Sequence, residues 1–458
     1  MRLRDCLNWV LASTACIAIL LAPAIWNGFA LLQYDTGGYL APWFDHLPAI
    51  NRPVAYGLLL AAGRWPDFWP VLVVQSALTV WVMALVLRAH GLGGRPGLLT
   101  GLIAALSIFT TLPWLTAILL TDIFAGLAVL ALYLLLLRDE ALTPTERIGL
   151  MVLTAFSAAT HNATLAMLLA LLALAALIRF VDRRRISPAR LGRGALALVL
   201  GLVIMFASNV VVTGKLGWSR GGYALSFGRM LEDGIVKKYL DAHCPDKTLR
   251  LCPYKDALPR DADDFLWGGG VFDKLGRFAG MDDEMRRIAL GCLRDYPGLQ
   301  LKSVLSETAK QIAMVDTGAG VVNWIWNTYE TIENFVPHAV PAMKAARQQR
   351  VGLSFTAINF VQVPVGWLAM LLLPVIAVAG LRRTGDTDIG EFAAAMALAI
   401  LANAGVFGTL ATAHHRYGAR VVWLAAFAVA VALVRHYQRR TADPNQAGSA
   451  AREVHSIQ

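Results

Sequence analysis

Two aspartates stand where an apolar chain has little reason to place them. Asp35 lies in Tyr34-Asp35-Thr36-Gly37-Gly38-Tyr39-Leu40, directly after the first long apolar run. Asp122 closes Leu119-Leu120-Thr121-Asp122, just before another apolar run. A carboxylate next to a bilayer-crossing segment costs a few kcal/mol unless it is paired or faces water. Each is therefore either a cap for the helix that follows or a group kept for chemistry: a base for a hydroxyl proton, or an orienting acceptor. Arg52 and Arg416 supply the complementary chemistry, because a guanidinium forks onto two oxygens of a carboxylate or phosphate. Arg220 and Arg229, in the long polar stretch, are further candidates of the same kind. Arg416 at a helix end is also read as a snorkelling interfacial arginine. His161, His414 and His415 offer ring N–H donors or metal ligands. His414 and His415 are adjacent and point in two directions on a helix, so at most one faces a shared site, and His415 is retained. Tyr39 and Tyr417 accompany Asp35 and Arg416 in their motifs and join the substrate-binding candidates.

The elements that must position these residues are membrane helices. The chain has 458 residues, is 57% hydrophobic and 16% charged, and has a mean hydropathy of +0.55. Soluble domains carry about 25% charged residues. Several apolar runs reach the roughly 18 residues needed to cross a bilayer. The expected fold is an all-α polytopic membrane protein of about ten transmembrane helices with a largely helical extracytoplasmic insert. The expected division is a transmembrane module over 1–213, the insert over 214–355, C-terminal transmembrane helices over 356–435 and a disordered tail over 436–458. Residues 148–181 read as two short spans hinged at His161-Asn162. Residues 54–63 read as a helix at the interface, and 227–240 as an amphipathic helix lying on the membrane. Asp261-Ala262-Asp263-Asp264 reads as a surface loop. The first apolar run continues to Leu32, longer than the roughly 7–15 residues of a signal core, so a retained helix is expected.

Charge sets the expected orientation. The net charge is +10, and much of the excess sits in short loops, where it directs topology and needs no nucleic acid to explain it. With the N-terminus inside, the basic clusters at 88–95, 179–193, 382–383 and 435–440 all fall in the cytoplasm. Asp35, Arg52, Asp122, His161, the insert and the His414–Tyr417 stretch then fall on the opposite face. The expected location is a bacterial inner membrane, multi-pass, with both termini cytoplasmic. A periplasmic insert would favour a Cys244–Cys252 disulfide, leaving Cys292 unpaired.

Four stretches in this order resemble the C-type (GT-C) integral-membrane glycosyltransferases, which include protein mannosyltransferases and aminoarabinose transferases. They are Asp35-Thr36-Gly37-Gly38-Tyr39-Leu40, Asn51-Arg52-Pro53-Val54-Ala55-Tyr56-Gly57, Thr121-Asp122 and Arg416-Tyr417. The chain departs from that pattern at Thr36, where a second acidic residue is frequent, at Val54 for Gly and at His161 for Arg. The insert has no counterpart. The resemblance implies a sugar donor linked to polyprenyl phosphate, with its lipid tail between helices among membrane lipids, and an envelope glycan, lipid or protein acceptor. It implies Asp35 as the base, with Arg52, Arg416 or Arg229 on the leaving phosphate. It implies that Asp122 orients the acceptor or shares a divalent cation with Asp35. Two other readings compete: a transporter or flippase of envelope precursors, and a non-catalytic lipid-binding scaffold. Transporters favour repeated halves and ionisable groups at the midplane. This chain has no evident internal repeat, and its polar residues gather at one boundary. No filter-like loop suggests a channel.

Overall fold

The computed structural model describes residues 3–218, 221–383 and 385–442. Among the described residues, seven helices are long and apolar enough to cross a membrane: Arg4–Asn27, Trp69–Ala89, Asn162–Val181, Pro188–Thr213, Thr356–Arg382, Thr387–Leu410 and His415–Thr441. The expectation of about ten spans reduces to these seven by length and composition. Pro96–Phe109 and Asp122–Leu137 are apolar but shorter. Pro144–Thr160, at 17 residues, opens with the polar run Pro144-Thr145-Glu146-Arg147. The break expected at His161 is present: Pro144–Thr160 ends there, and the His161 side chain caps Asn162–Val181.

The centre of the bundle is Asp122–Leu137, buried along its whole length except at Leu137. A helix apolar on all sides needs neighbours on all sides, and this one is sheathed rather than exposed to lipid. The last helix, His415–Ala442, lies against it with a fixed register. A Cβ on Gly126 would meet the Trp423 ring at 2.6 Å, so only glycine admits that indole. Asp122 is one turn before Gly126, and Arg420 is one turn before Trp423, whose ring N–H donates to the Arg420 carbonyl at 3.2 Å. The Gly126–Trp423 notch therefore sets the first turns of the two helices beside each other.

Backbone contacts pin the first loop to this centre. Leu31 and Ile118 form an isolated parallel bridge, with Leu31 N–H on the Ala117 carbonyl at 2.9 Å and Leu119 N–H on the Leu31 carbonyl at 3.1 Å. A short helix, Tyr34–Leu40, follows. Its cap is reciprocal: Gln33 accepts from Asp35 N–H, and Thr36 Oγ1 accepts from Gln33 N–H. The Thr36 hydroxyl also donates to the Leu119 carbonyl at 3.2 Å. The helix Ala55–Ala62 packs behind it and turns Ala55, Tyr56, Gly57 and Leu60 inward. It is thus a packed element of the site wall, not a helix lying only at the interface.

The 227–240 segment differs from its expected membrane-surface helix. Gly234, at φ +73, breaks it into Ala224–Glu232 and Ile235–His243. Phe227, Met230, Leu231, Ile235, Val236 and Leu240 are buried in a core belonging to the insert itself, shared with Met281, Met285 and Ile288 of Arg277–Asp295. The apolar stripe was real, but its partner is protein. Asp261 caps a short helix, Ala262–Leu266, where a loop was expected. Cys244 and Cys252 are disulfide-bonded, and Cys292 is free and buried. Pro297–Ala313 leaves this core and lies along Thr387–Leu410, where a Cβ on Gly408 would meet Thr308 N at 2.6 Å. The chain beyond it returns over the first loop. Gln348 brackets Leu32, accepting from its N–H at 2.9 Å and donating to its carbonyl at 2.7 Å. The last helix continues to Ala442, past the expected start of a disordered tail at 436. Arg435 and Arg439 tie it to Asp388 and Asp386; the rest of that tail lies outside the described residues.

Gly57 tests the packing of the site wall. A Cβ there would sit 2.1 Å from the Tyr39 carbonyl oxygen, against backbone that has little room to move. Gly57→Ala is expected to cost about 1–3 kcal/mol and to lower the thermal midpoint in detergent. Gly101→Ala, facing open space on Pro96–Phe109, should leave it unchanged or raise it. Equal midpoints for the two variants would refute the close packing of Ala55–Ala62 on Tyr34–Leu40.

Candidate active site

The structure brings together three groups that lie far apart in the chain. Arg416 Nη1 donates to Asp35 Oδ2 at 2.5 Å, and Arg416 Nε donates to Asp122 Oδ2 at 2.8 Å. One guanidinium thus bridges the two carboxylates. Arg416 lies in the first turn of the last helix, which begins at His415; Asp122 opens the central helix and Asp35 the first-loop helix. Asp122 is 2% exposed. An ionised carboxylate so buried stands only if a charge partner meets it, and Arg416 is that partner.

Arg52 completes the constellation from the other side. Its Nη2 reaches Asp35 Oδ1 at 2.8 Å, and its Nη1 donates to the Asp35 carbonyl at 3.1 Å. Gly38 makes room for this, since a Cβ there would fall 2.8 Å from Arg52 Nη1. The Arg52 guanidinium lies over the Tyr39 ring at 5.2 Å. Tyr39 is buried, with its hydroxyl 3.4 Å from Thr121 Oγ1. Burial by itself would raise the Asp35 carboxyl; Arg52 and Arg416 outweigh it and hold the group well below the usual carboxylate range. In this arrangement Asp35 is a stable anion and a weak base.

Two buried atoms of the bridge lack a partner among the described residues: Asp122 Oδ1 and Arg416 Nη2. Both residues line a small cavity of ≈ 40 Å³, together with Trp114, Asp316, Thr317 and Gly318. That volume holds water but not a sugar. Trp114 also lines a separate apolar cleft of ≈ 550 Å³, walled by Ile19, Pro23, Trp26, Ile108 and Pro113. An acyl-like chain fits the cleft's chemistry, and Trp114 is the partition between it and the bridge. Asp35 is the more open end of the bridge, with its side chain 30% exposed.

The remaining candidates divide. His161 is near the bridge: Arg420 Nη1 faces its Nδ1 at 3.5 Å. Tyr417 stacks on Phe407, with ring centroids 3.7 Å apart, and its carbonyl accepts from Asn403 at 2.8 Å. His415 turns to the insert, with Nδ1 2.9 Å from Asp316 Oδ1. Arg229 is buried in the insert against Asp233, Gln300 and Ser303, and is not joined to the carboxylates. Arg220 lies outside the described residues. Between Asp35 and Asp122, the place of a shared divalent cation is taken by the Arg416 guanidinium. Among the described residues no group of three or more His, Cys, Asp or Glu converges on a metal position. The donor set as arranged does not fit a cation.

Residues that the motif reading missed hold the site. Arg420 is 1% exposed, one turn after Arg416, and donates to Asn403 Oδ1 at 3.0 Å. An arginine inside an apolar helix, spaced four from another arginine, was the available signal. Thr328 locks the first-loop helix from the insert side: its hydroxyl donates to the Gln33 carbonyl and accepts from Gly37 N–H, each at 3.1 Å. No local pattern marks Thr328 or Gln348, because their partners lie about 300 residues away. Comparison of the chain with protein-family models, curated proteins and solved structures gives no match.

The bridge makes a thermodynamic prediction. Arg416→Met strands a buried carboxylate and should cost about 3–5 kcal/mol, read as a lowered unfolding midpoint in detergent. Adding Asp35→Asn and Asp122→Asn should recover most of that loss, because neutral amides no longer need the cation. A triple variant no more stable than Arg416→Met would contradict the ion bridge.

Proposed function

We propose that this chain is a membrane glycosyltransferase that moves a sugar from a polyprenyl-phosphate donor to an envelope glycan, lipid or protein acceptor on the extracytoplasmic face. The observation that carries the reading is the Asp35–Arg416–Asp122 bridge, with its unpartnered Arg416 Nη2, lying beside an apolar cleft. A carboxylate for a proton, a guanidinium for a phosphate and an apolar slot for a lipid tail are the parts such a transfer needs.

The resting pairing suggests how the parts act in turn. While Arg416 and Arg52 both hold Asp35, that carboxylate binds a proton poorly. A donor phosphate that takes Arg416 leaves Asp35 with Arg52 alone, and its basicity rises. The acceptor hydroxyl gives its proton to Asp35, and its oxygen bonds to the anomeric carbon. The bond from that carbon to the phosphate oxygen breaks, and its electron pair leaves on the polyprenyl phosphate. Asp122 keeps Arg416 aimed through Nε, so that Nη1 and Nη2 face the leaving oxygens. The small cavity requires side chains around Trp114 to move before a donor seats.

Taking Pro96–Phe109, Asp122–Leu137 and Pro144–Thr160 as short crossings beside the seven long ones gives ten. An even number returns both termini to one side, and the basic clusters favour the cytoplasm of a bacterial inner membrane. The insert and the bridge then share the opposite face.

The test is lipid-extract and glycan mass spectrometry on a deletion strain complemented with wild type, Asp35→Asn or Asp122→Asn. One sugar should vanish in the deletion and return with wild type. Asp35→Asn should transfer at least about 100-fold less. Full restoration by Asp35→Asn would remove Asp35 as the base. An envelope unchanged by the deletion itself would favour the transporter or scaffold reading.

A further inference from the structure

Arg420 is the buried charge that the mechanism above does not use. Its side chain lies inside the last helix at 1% exposure. Its partners are neutral: Asn403 Oδ1 at 3.0 Å, the Phe407 ring at 4.9 Å and His161 Nδ1 at 3.5 Å. Among the described residues no carboxylate lies within ion-pair reach of it, and its Nη2 is buried without a partner. A guanidinium so placed costs stability, so its position points to an electrostatic task.

That task is visible at His161. The ring sits at the break between Pro144–Thr160 and Asn162–Val181, and Ala163 N–H donates to its Nδ1 at 3.2 Å. Arg420 Nη1 approaches the same nitrogen from the last helix. With two donors converging on Nδ1, that nitrogen must be the acceptor, and the ring proton belongs on Nε2. No described side chain takes up Nε2. The charged groups acting on the ring are Arg420 and Arg416 from the last helix, and Asp35 and Arg52 from the first loop. Burial, then Arg420 and Arg416, hold the imidazole well below its ordinary range, so the ring stays neutral.

We infer that Arg420 is a positioning residue acting through His161: it locks the neutral Nε2–H tautomer, so that His161 offers the donor substrate one fixed N–H. The assignment of that N–H to a glycosyl phosphate donor rests on the transferase reading; the tautomer lock does not. Without Arg420, Nδ1 keeps Ala163 N–H as its one remaining donor, and the ring is free to exchange tautomers. A hydrogen on Nδ1 would then stand against Ala163 N–H and turn the ring out of position.

Two measurements separate these layers. In detergent-solubilised full-length protein labelled with ¹⁵N-histidine, the His161 signal, assigned by its loss in His161→Gln, should show the neutral Nε2–H tautomer at pH 6. An imidazolium or Nδ1–H signal there overturns the lock. In sugar-transfer assays the wild type should show no inflection between pH 5.5 and 7.5. Arg420→Gln, which frees the tautomer, should lower the rate about tenfold across that range. His161→Gln, whose amide stands near Nε2, should retain more activity than His161→Asn, whose amide stands near Nδ1, and adding Arg420→Gln to His161→Gln should cost little more. An Arg420→Gln rate equal to wild type, or an Arg420→Gln loss undiminished in the His161→Gln background, overturns the inference while leaving the transferase reading intact. A wild type that transfers no sugar overturns that reading and leaves the tautomer measurement to stand or fall alone.

Discussion

A buried charge must find its counter-charge, and in this protein that requirement ties the two ends of the sequence together. Asp122 sits at the head of a helix that is buried nearly end to end. It is 2% exposed, so a cation must come to it, and the cation is Arg416, 294 residues away. The same guanidinium also holds Asp35. The packing of the core follows from keeping this meeting in register. Gly126 receives Trp423, the Leu31–Ile118 bridge draws the first loop alongside, and Gln348 holds Leu32 from the far side. Loss of any of these would separate charges that the interior cannot tolerate unpaired.

The insert contributes to the same constraint in two ways. Its disulfide-bonded half has a core of its own, built from the faces that an amphipathic reading assigns to lipid. Its second half serves the membrane bundle: Pro297–Ala313 runs along Thr387–Leu410, Glu307 and Gln311 bind the backbone of Ala413 and His414, and Thr328 closes over the first-loop helix. The turn that launches Arg416 is thus braced from outside the membrane helices. This explains why a polar segment with no resemblance to the rest of the chain sits between its two transmembrane parts.

Much of this was legible in sequence, for identifiable reasons. Apolar run length marks membrane helices directly, so the long spans and the His161 break were readable. Asp35, Arg52, Asp122 and Arg416 stood out because charge is rare beside such runs, and the structure joins all four. The count of spans was less legible: Asp122–Leu137 reads like any apolar crossing, and only its burial on every side marks it as the core. The 227–240 stripe showed an amphipathic face but not what covers it, since a lipid surface and a protein core ask for the same residues. Arg229 and His415 were drawn in by residue type alone; their partners, Asp233 and Asp316, are local to the insert. Thr328 and Gln348 were beyond reach because their side chains bond backbone about 300 residues away, and Asn403, whose partners Tyr417 and Arg420 lie in the next helix, was missed because neutral polar residues carry no periodic signal.

Charge balance links the resting site to the proposed reaction. Within the bridge, three guanidinium groups, Arg52, Arg416 and Arg420, stand with two carboxylates, Asp35 and Asp122, so this set has one positive charge in excess while His161 is neutral; Asp316, across the small cavity, faces His415 and stands outside this count. A sugar phosphodiester carries one negative charge, and its arrival would bring the site to neutrality. In the proposed transfer the phosphate would gain a second negative charge as the glycosidic bond breaks, and Asp35 would lose its own as it takes the acceptor proton. The total stays constant from bound donor to product, so the low-dielectric interior never has to accommodate an uncompensated ion. A diphosphate-linked donor would leave the same site with a surplus anion throughout. A neutral His161 would belong to this balance: an imidazolium would restore the excess positive charge and hold a product phosphate in place, whereas under the proposed reaction a neutral N–H would stabilise the leaving oxygen and still let it go.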